Sequence, residues 1–209
     1  PNGLSEEDFS YKLNRIRQSY WFFMTGRGCP NKCSFCVEGN IGNIYRFRNV
    51  DKLKEDLMSF LDNTEHKYVA IADDTFTSSL NRVGKVCSMF KEVQKTHPFT
   101  WYCEGRVDVL SRHPEIIDIM VDAGLVSLQI GVESGSQEVL DIYNKRITIE
   151  QIRNVILYTR KYPALRVFGN IILGNPRETK NQLMESLAVI DELVKLSHFK
   201  LEISTSILT

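Results

Sequence analysis

Six short apolar runs recur along this chain. Each is followed by residues whose apolar side chains return every three or four positions, and that rhythm constrains the fold more than any other feature. The runs Tyr20–Thr25, Tyr68–Ala72, Thr100–Arg106, Ser127–Glu133, Val167–Leu173 and Leu201–Leu208 read as strands. Between them, helical stripes are predicted through Leu53, Leu57 and Phe60, and through Val83, Val86, Cys87, Phe90 and Val93. Two more run through Ile152, Val155 and Ile156, and through Leu183, Leu187, Ile190 and Val194. Pro114 suits a first helical position and Gly124 a stop. Ser134 with Gln137, Thr148 with Gln151, and Thr179 with Gln182 have the spacing of capping boxes. Strands alternating with helices imply parallel pairing and an outer helical layer.

Polarity within the strands separates the two ways of closing such a sheet. A doubly wound sheet is covered on both faces and favours continuously apolar strands. Here Leu128, Ile130 and Val132 alternate with Gln129, Gly131 and Glu133. Glu104 with Arg106, and Glu202 with Ser204 and Ser206, repeat the pattern on other strands. Polar inner faces suit a curved, partly open barrel with a ligand-filled interior. Charges placed there need partners, from each other or from neighbours, because an unpaired buried charge is costly.

The second strong signal is Thr25–Cys36, reading TGRGCPNKCSFC, which places Cys29, Cys33 and Cys36 directly after the first strand. Thiolates at this spacing can be turned by a short loop onto one soft metal centre, and Gly26 and Gly28 relax the backbone for it. Three ligands with no further Cys or His nearby fall short of the four that a closed zinc site wants. An iron–sulfur cubane so held would keep one iron open. Five cysteines, clustered rather than dispersed, argue against a secreted disulfide framework and for a reducing compartment, by default the cytoplasm. With 26 basic and 26 acidic residues, the balance advertises neither a nucleic-acid nor a membrane partner. No apolar run reaches membrane-spanning length and no signal-peptide pattern opens the chain.

The cysteine loop, with Phe35 just before its third cysteine, resembles that of the radical S-adenosylmethionine (radical SAM) superfamily. The resemblance implies a partial (β/α)6 TIM-like barrel in which Cys29, Cys33 and Cys36 hold a [4Fe-4S] cluster whose open iron chelates S-adenosylmethionine. The Ala-Asp-Asp-x-Phe segment at Asp73 and Asp74 is similar to one in the cobalamin-associated branch and implies contact with the methionine amino group. The Arg106 guanidinium matches the cofactor carboxylate in geometry and either receives it or pairs with charges nearby; by the same resemblance, Glu133 receives the ribose hydroxyls, and Ile172 and Leu173 pack on adenine. Glu104 and Gln129 join them from the inner face, and Phe35 walls the cluster. Read from the residues alone, Asp73 and Asp74 equally suit a loop terminus, and Glu133 a paired buried carboxylate. Arg46, Arg48 and Gly42 lie either at the cluster mouth or on a solvated loop. Cys87 and Cys103 read as core residues.

The implied activity is reductive cleavage of S-adenosylmethionine to a 5′-deoxyadenosyl radical that activates a substrate C–H bond. A flavodoxin or ferredoxin would supply the electron. The substrate, a peptide or small molecule, would sit deeper in the barrel near Glu202, Ser204 and Ser206. No side chain is convincing as a general base or nucleophile. The cobalamin-associated branch commonly carries a cobalamin domain upstream. No Asp-x-His-x-x-Gly ligation pattern occurs in this chain, so any cobalamin would be held mainly by residues outside it. Methylthiotransferase chemistry and a non-catalytic zinc or iron–sulfur module are the alternatives. Residues 1–19 read as a connector from an upstream domain and residues 20–209 as the core, excised from a longer chain.

Overall fold

The computed structural model describes residues 21–38, 44–65, 67–198 and 200–207. The chain runs through strands β1 (Trp21–Phe23), β2 (Gly26–Arg27) and β3 (Arg46–Phe47), then helix α1 (Val50–Asp62) and β4 (Tyr68–Ile71). A 3-10 turn, Phe76–Ser78, leads to α2 (Leu80–Val93) and β5 (Thr100–Gly105). Next come α3 (Val107–Arg112), α4 (Glu115–Asp122), β6 (Leu125–Glu133), α5 (Gln137–Ile142) and α6 (Ile149–Thr159). The last elements are β7 (Arg166–Leu173), α7 (Lys180–Leu196) and β8 (Leu201–Ile207). Tyr20, Gly42, Leu208 and the connector at 1–19 lie outside the described residues.

Six strands form one sheet in the order β1-β4-β5-β6-β7-β8, every pair parallel. Spatial order follows chain order throughout, whereas a doubly wound sheet reverses at a switch point. The fold is therefore an α/β partial barrel. Alternation decides the faces. Val69, Ile71, Trp101, Cys103, Leu128, Ile130 and Val132 point outward into one apolar core with Leu53, Leu57, Val83, Val86, Cys87, Phe90, Ile152, Val155 and Ile156 from the helices. The alternate residues face the concave side, where Gln129 and Gly131 are only half-buried. Among the described residues no helix is long and apolar enough to cross a membrane.

Local signals behave as their chemistry dictates, with two exceptions. Thr148 and Thr179 cap α6 and α7 with complete capping boxes, and Gly124 ends α4 with φ +90°. Ser134 does not cap α5. Its hydroxyl is buried against Ser186 Oγ at 2.9 Å and accepts from Ser136 N at 3.1 Å, so a local turn replaces the predicted box and Ser136 takes the N-cap position before Gln137. On α7 the inward stripe runs through Ser186 and Leu193, with Leu183, Ile190 and Val194 beside it, and leaves Leu187 48% exposed. The helix is rotated by one position from the expected stripe because Gly135 lets its backbone approach closely. A Cβ at Gly135 would lie 2.6 Å from Ser186 Cα.

Candidate active site

The cysteine loop is fastened at both ends. At its base β2 and β3 form a short antiparallel ladder, Gly26 opposite Phe47 and Arg27 opposite Arg46. Gly28 adopts φ +84°, and a Cβ there would lie 2.4 Å from the Ile44 carbonyl oxygen. That position needs glycine both for its left-handed conformation and for the close approach. Just past β4, Asp73 accepts from Thr25 N (2.6 Å), Thr25 Oγ1 (2.5 Å) and Gly26 N (2.9 Å), and Asp74 Oδ2 accepts from Gly28 N (2.7 Å). At the far side Ser34 N donates to Tyr143 O (2.9 Å), Ser34 Oγ to Ile142 O (3.0 Å) and Asn144 Nδ2 to Lys32 O (2.6 Å). The loop is thus strung between the end of β4 and the end of α5.

So held, Cys29, Cys33 and Cys36 all face one cavity of about 390 Å³. All three are free thiols; Cys33 is buried and the other two half-buried. Among the described residues, no three Cys, His, Asp or Glu side chains converge as a single bound ion would require. The three thiols share one cavity, and three thiolates fall short of the four ligands of a closed zinc site while suiting a polynuclear cluster, whose ligands sit on different metal atoms. Nitrogen donors already address two sulfurs: Asn31 Nδ2 lies 3.3 Å from Cys29 Sγ and Arg106 Nη1 lies 3.9 Å from Cys33 Sγ.

The remaining walls come from the C-terminal ends of β4 to β8, the edge where barrel sites are built. Glu133 occupies the left-handed region (φ 61°), where the β6–β7 register shifts between Gly131 and Glu133. Its Oε1 meets Lys145 Nζ at 2.5 Å, and both side chains are about nine-tenths buried. Gly131 makes room for this pair, since a Cβ there would lie 2.2 Å from Glu133 Oε1 and 2.4 Å from Lys145 Nζ. Lys145 also lies 5.7 Å from the centre of the Phe35 ring. Phe35 in turn packs edge-on to Tyr143 and joins Val139 and Ile172 in a small apolar cluster.

Charges at the end of β5 are satisfied separately rather than by each other. Arg106 pairs with Asp108 at 2.8 Å and donates to Lys145 O at 3.1 Å. Burial opposes its charge, but Asp108 and Cys33 outweigh burial and hold its pKa above the ordinary guanidinium value. Glu104 Oε1 accepts from Gln129 Nε2 (3.0 Å) and meets the Tyr102 hydroxyl (3.2 Å), which also donates to Gln129 Oε1 (2.9 Å). Glu104 opens into the cavity, yet protein surrounds it closely enough that desolvation raises its carboxyl pKa.

Ten of the twelve residues singled out from the sequence meet at this cavity: the three cysteines, Phe35, Asp74, Glu104, Arg106, Gln129, Glu133 and Ile172. Two do not line it. Asp73 is turned back into the base of the cysteine loop, where Thr25 and Gly26 engage its carboxylate. Leu173 alternates to the outer face and packs on the main core. Arg46 and Arg48 line a separate surface hollow with Arg27, behind the loop. Of the polar residues of β8, Ser206 reaches the cavity, whereas Glu202 is bound by Arg166 at 2.7 Å. The residues missed were Lys145, Thr75 and Asn170. Asn170 was discoverable as the polar residue in an apolar strand, in phase with Ile172. Lys145 was discoverable as the first lysine after a buried carboxylate that required a cation.

Comparison with known proteins places this geometry in a family. The Radical SAM superfamily model matches residues 23–190. An uncharacterised methyltransferase of Pyrococcus horikoshii is 27% identical over 171 residues, covering 81% of this chain and 36% of the relative. The ribosomal protein uS12 methylthiotransferase RimO of Clostridioides difficile is 24% identical over 182 residues, covering 82% of this chain and 40% of that protein. The chain thus spans less than half the length of these relatives. Among solved structures, the radical S-adenosylmethionine methyltransferase TsrM of Kitasatospora setae, with cobalamin and a [4Fe-4S] cluster bound, superposes with a TM-score of 0.76 at 17% identity. It covers 93% of this chain and 35% of that one. A family match over most of the sequence, joined to three cysteines facing one cavity at the mouth of a parallel partial barrel, gives the conclusion that this chain belongs to the radical SAM superfamily.

Proposed function

We propose that residues 20–209 form the catalytic core of a radical SAM methyltransferase, with Cys29, Cys33 and Cys36 as the three protein ligands of a [4Fe-4S] cluster. The observation that carries the reading is the single cavity shared by the three thiols and by the ionic residues at the strand ends. With cluster and S-adenosylmethionine bound, the chemistry supplied there is one-electron cleavage of the sulfonium, activating a C–H bond of the substrate. The protein's part is geometry. Glu133, kept in place by Lys145, accepts hydrogen bonds from the ribose hydroxyls. Asp74 receives the methionine ammonium, and the cationic corner of Arg106 and Lys145 the carboxylate. Glu104 and Gln129 support the cofactor from the inner face. Phe35 and Ile172 provide the apolar wall for adenine and keep water from the reacting atoms.

Fold similarity to TsrM supports methyl transfer, with cobalamin held by a domain beyond residues 20–209. Similarity to RimO supports methylthio transfer as the second reading. Either needs a one-electron donor of the flavodoxin or ferredoxin kind, and the free thiols suit a reducing compartment such as the cytoplasm.

Anaerobic reconstitution with iron and sulfide tests the core claim. The expected result is about four irons per chain, an electron paramagnetic resonance signal that shifts on adding S-adenosylmethionine, and loss of both in Cys33→Ala. Stable zinc binding with no response to S-adenosylmethionine would overturn it. Label from the S-methyl group arriving alone separates methyl from methylthio transfer.

A further inference from the structure

Behind the cysteine loop lies a second hollow, about 320 Å³, walled by Met24, Gly26, Arg27, Arg46, Phe47 and Arg48. None of these residues lines the cofactor cavity, so the base of the loop separates the two spaces. Arg27 stands directly opposite Arg46 in the β2–β3 ladder. Like charges so opposed destabilise a strand pair, and among the described residues no carboxylate relieves these two. The Arg46 guanidinium has no ion pair there, and Arg27 Nε donates to the Met24 thioether at 2.8 Å, a neutral and weak acceptor. Arg48 alone of the three is paired, with Asp56, and it also donates to Met24 O at 3.1 Å. In a chain whose formal charge is zero, the hollow is a local excess of cations. It also holds an apolar contact surface: Phe47 is 45% exposed, its ring flanked by the Arg82 guanidinium at 4.5 Å and by Tyr45, edge-on, at 4.3 Å.

The hollow adjoins the cluster ligands along both strands. From β2 the chain runs straight into the loop, and Arg27 precedes Cys29 by two residues, at most about 7 Å of backbone. On the β3 side, Tyr45 links the Phe47 ring to the loop, since a Cβ on Gly28 would lie 3.6 Å from Tyr45 Cα.

We infer that this hollow is the docking face for the one-electron donor, a small acidic protein of the flavodoxin kind that presents a flat conjugated edge among carboxylates. The inference rests on the radical SAM reading, because a cluster that works by one-electron reduction requires such a partner. Two opposed arginines without counter-charge select an anionic surface, and each carboxylate brought between them relieves their repulsion. The exposed Phe47 ring gives the conjugated edge something to pack against. A patch of this size suits the brief encounters of electron-transfer proteins, whose interfaces are among the smallest. Its position keeps donor and substrate apart: the electron arrives behind the loop, while the cavity stays open to S-adenosylmethionine and substrate. In the step itself the donor's reduced flavin loses one electron and the [4Fe-4S] cluster gains it, with no bond made or broken.

Two readouts test this, one of them independent of the cluster. The first is calorimetric titration of oxidised flavodoxin into the cluster-free chain at about 0.01 M ionic strength, where charges act over about 30 Å. Arg27→Glu and Arg46→Glu should each weaken binding by about tenfold. Lys67→Glu, the same charge change at an exposed site beyond the other end of β4, should leave it unaltered. Either reversal in the ladder sets Glu opposite Arg, which favours the strand pair, and thermal melts check that both variants fold. The second readout is anaerobic stopped-flow reduction of the reconstituted cluster. Reduced flavodoxin should act about tenfold more slowly on the two arginine variants and with less dependence on salt, whereas dithionite keeps its wild-type rate. Absence of flavodoxin binding, wild-type affinity and rate in both reversals, or equal loss in Lys67→Glu overturns the proposal. Binding of polyglutamate without binding of flavodoxin overturns it too and gives the hollow to an acidic peptide. Those results leave the cluster reading standing if iron incorporation and the response to S-adenosylmethionine are intact. Failure of reconstitution beside arginine-dependent flavodoxin binding sinks the cluster reading instead.

Discussion

Replacing Gly131 by alanine puts a methyl group where the structure has room for none. Its carbon would lie 2.2 Å from Glu133 Oε1 and 2.4 Å from Lys145 Nζ. Since such contacts settle near 3.5 Å, both atoms must retreat by about 1 Å. Two routes are open. Separating the pair strands two desolvated charges, at about 3–5 kcal/mol. Moving them together into the cavity keeps the ion pair and costs only the repacking, about 1–3 kcal/mol. The cavity lies on that side, so the second route is cheaper and a loss of about 2 kcal/mol is expected. For a chain of this size that corresponds to a fall in Tm of about 4–8 °C. Thermal denaturation of the cluster-free Gly131→Ala, Lys145→Ala and double variants would measure it. Lys145→Ala removes one of the two clashing atoms, so the alanine at 131 should cost about 1 kcal/mol less in that background. An unchanged Tm for Gly131→Ala, or strictly additive losses in the double variant, would refute the packing of this pair against the inner face of β6.

Three further outcomes are expected. Gly28→Ala forces an L side chain into a left-handed conformation, at about 1–2 kcal/mol, and against the Ile44 carbonyl oxygen, 2.4 Å from its Cβ. Iron and labile-sulfide counts after reconstitution should fall severalfold, and full loading would show that the loop base is not tight. Asp73→Asn removes charge from a carboxylate that accepts from Thr25 and Gly26. Stability should drop by about 2 kcal/mol with faster amide exchange at both residues, and unaltered protection would contradict the anchoring role. Glu104 carries a carboxyl pKa raised by burial above its ordinary 4.5. As pH climbs from 4.5 through the raised value, the unfolded chain releases its proton first, so stability falls across that window and stays lower above it. Glu104→Gln should flatten that decline in denaturant titrations run across pH, and parallel wild-type and variant curves would count against the desolvation of this site.

Legibility followed the range of the interactions. The capping boxes at Thr148 and Thr179, the alternation along β6, the stop at Gly124 and the Cys29–Cys33–Cys36 spacing were all readable. Each depends on residues within a few positions of one another, and their geometry follows from backbone periodicity alone. The same local rules misjudged Ser134, whose hydroxyl is claimed by Ser186, 52 residues away. They also misjudged Leu187, because the seat of α7 is set by the bare backbone at Gly135.

Adjacent residues with the same chemistry diverged for similar reasons. Asp73 and Asp74 are indistinguishable as letters, but the turn after β4 aims one beneath the cysteine loop and leaves the other at the cavity. Ile172 and Leu173 divide by alternation, one to each face of the sheet. The amino-acid order thus set the repeating strand–helix architecture, the trio of cysteines in one loop and the polar inner face, since all three are written in short-range spacing. Only the folded chain decided which groups meet. Arg106 reaches Cys33 across 73 residues of sequence, and Lys145 reaches Glu133 over the bare Cα of Gly131. Those meetings depend on how closely strands, turns and helix ends approach in space, a distance that no sequence period encodes.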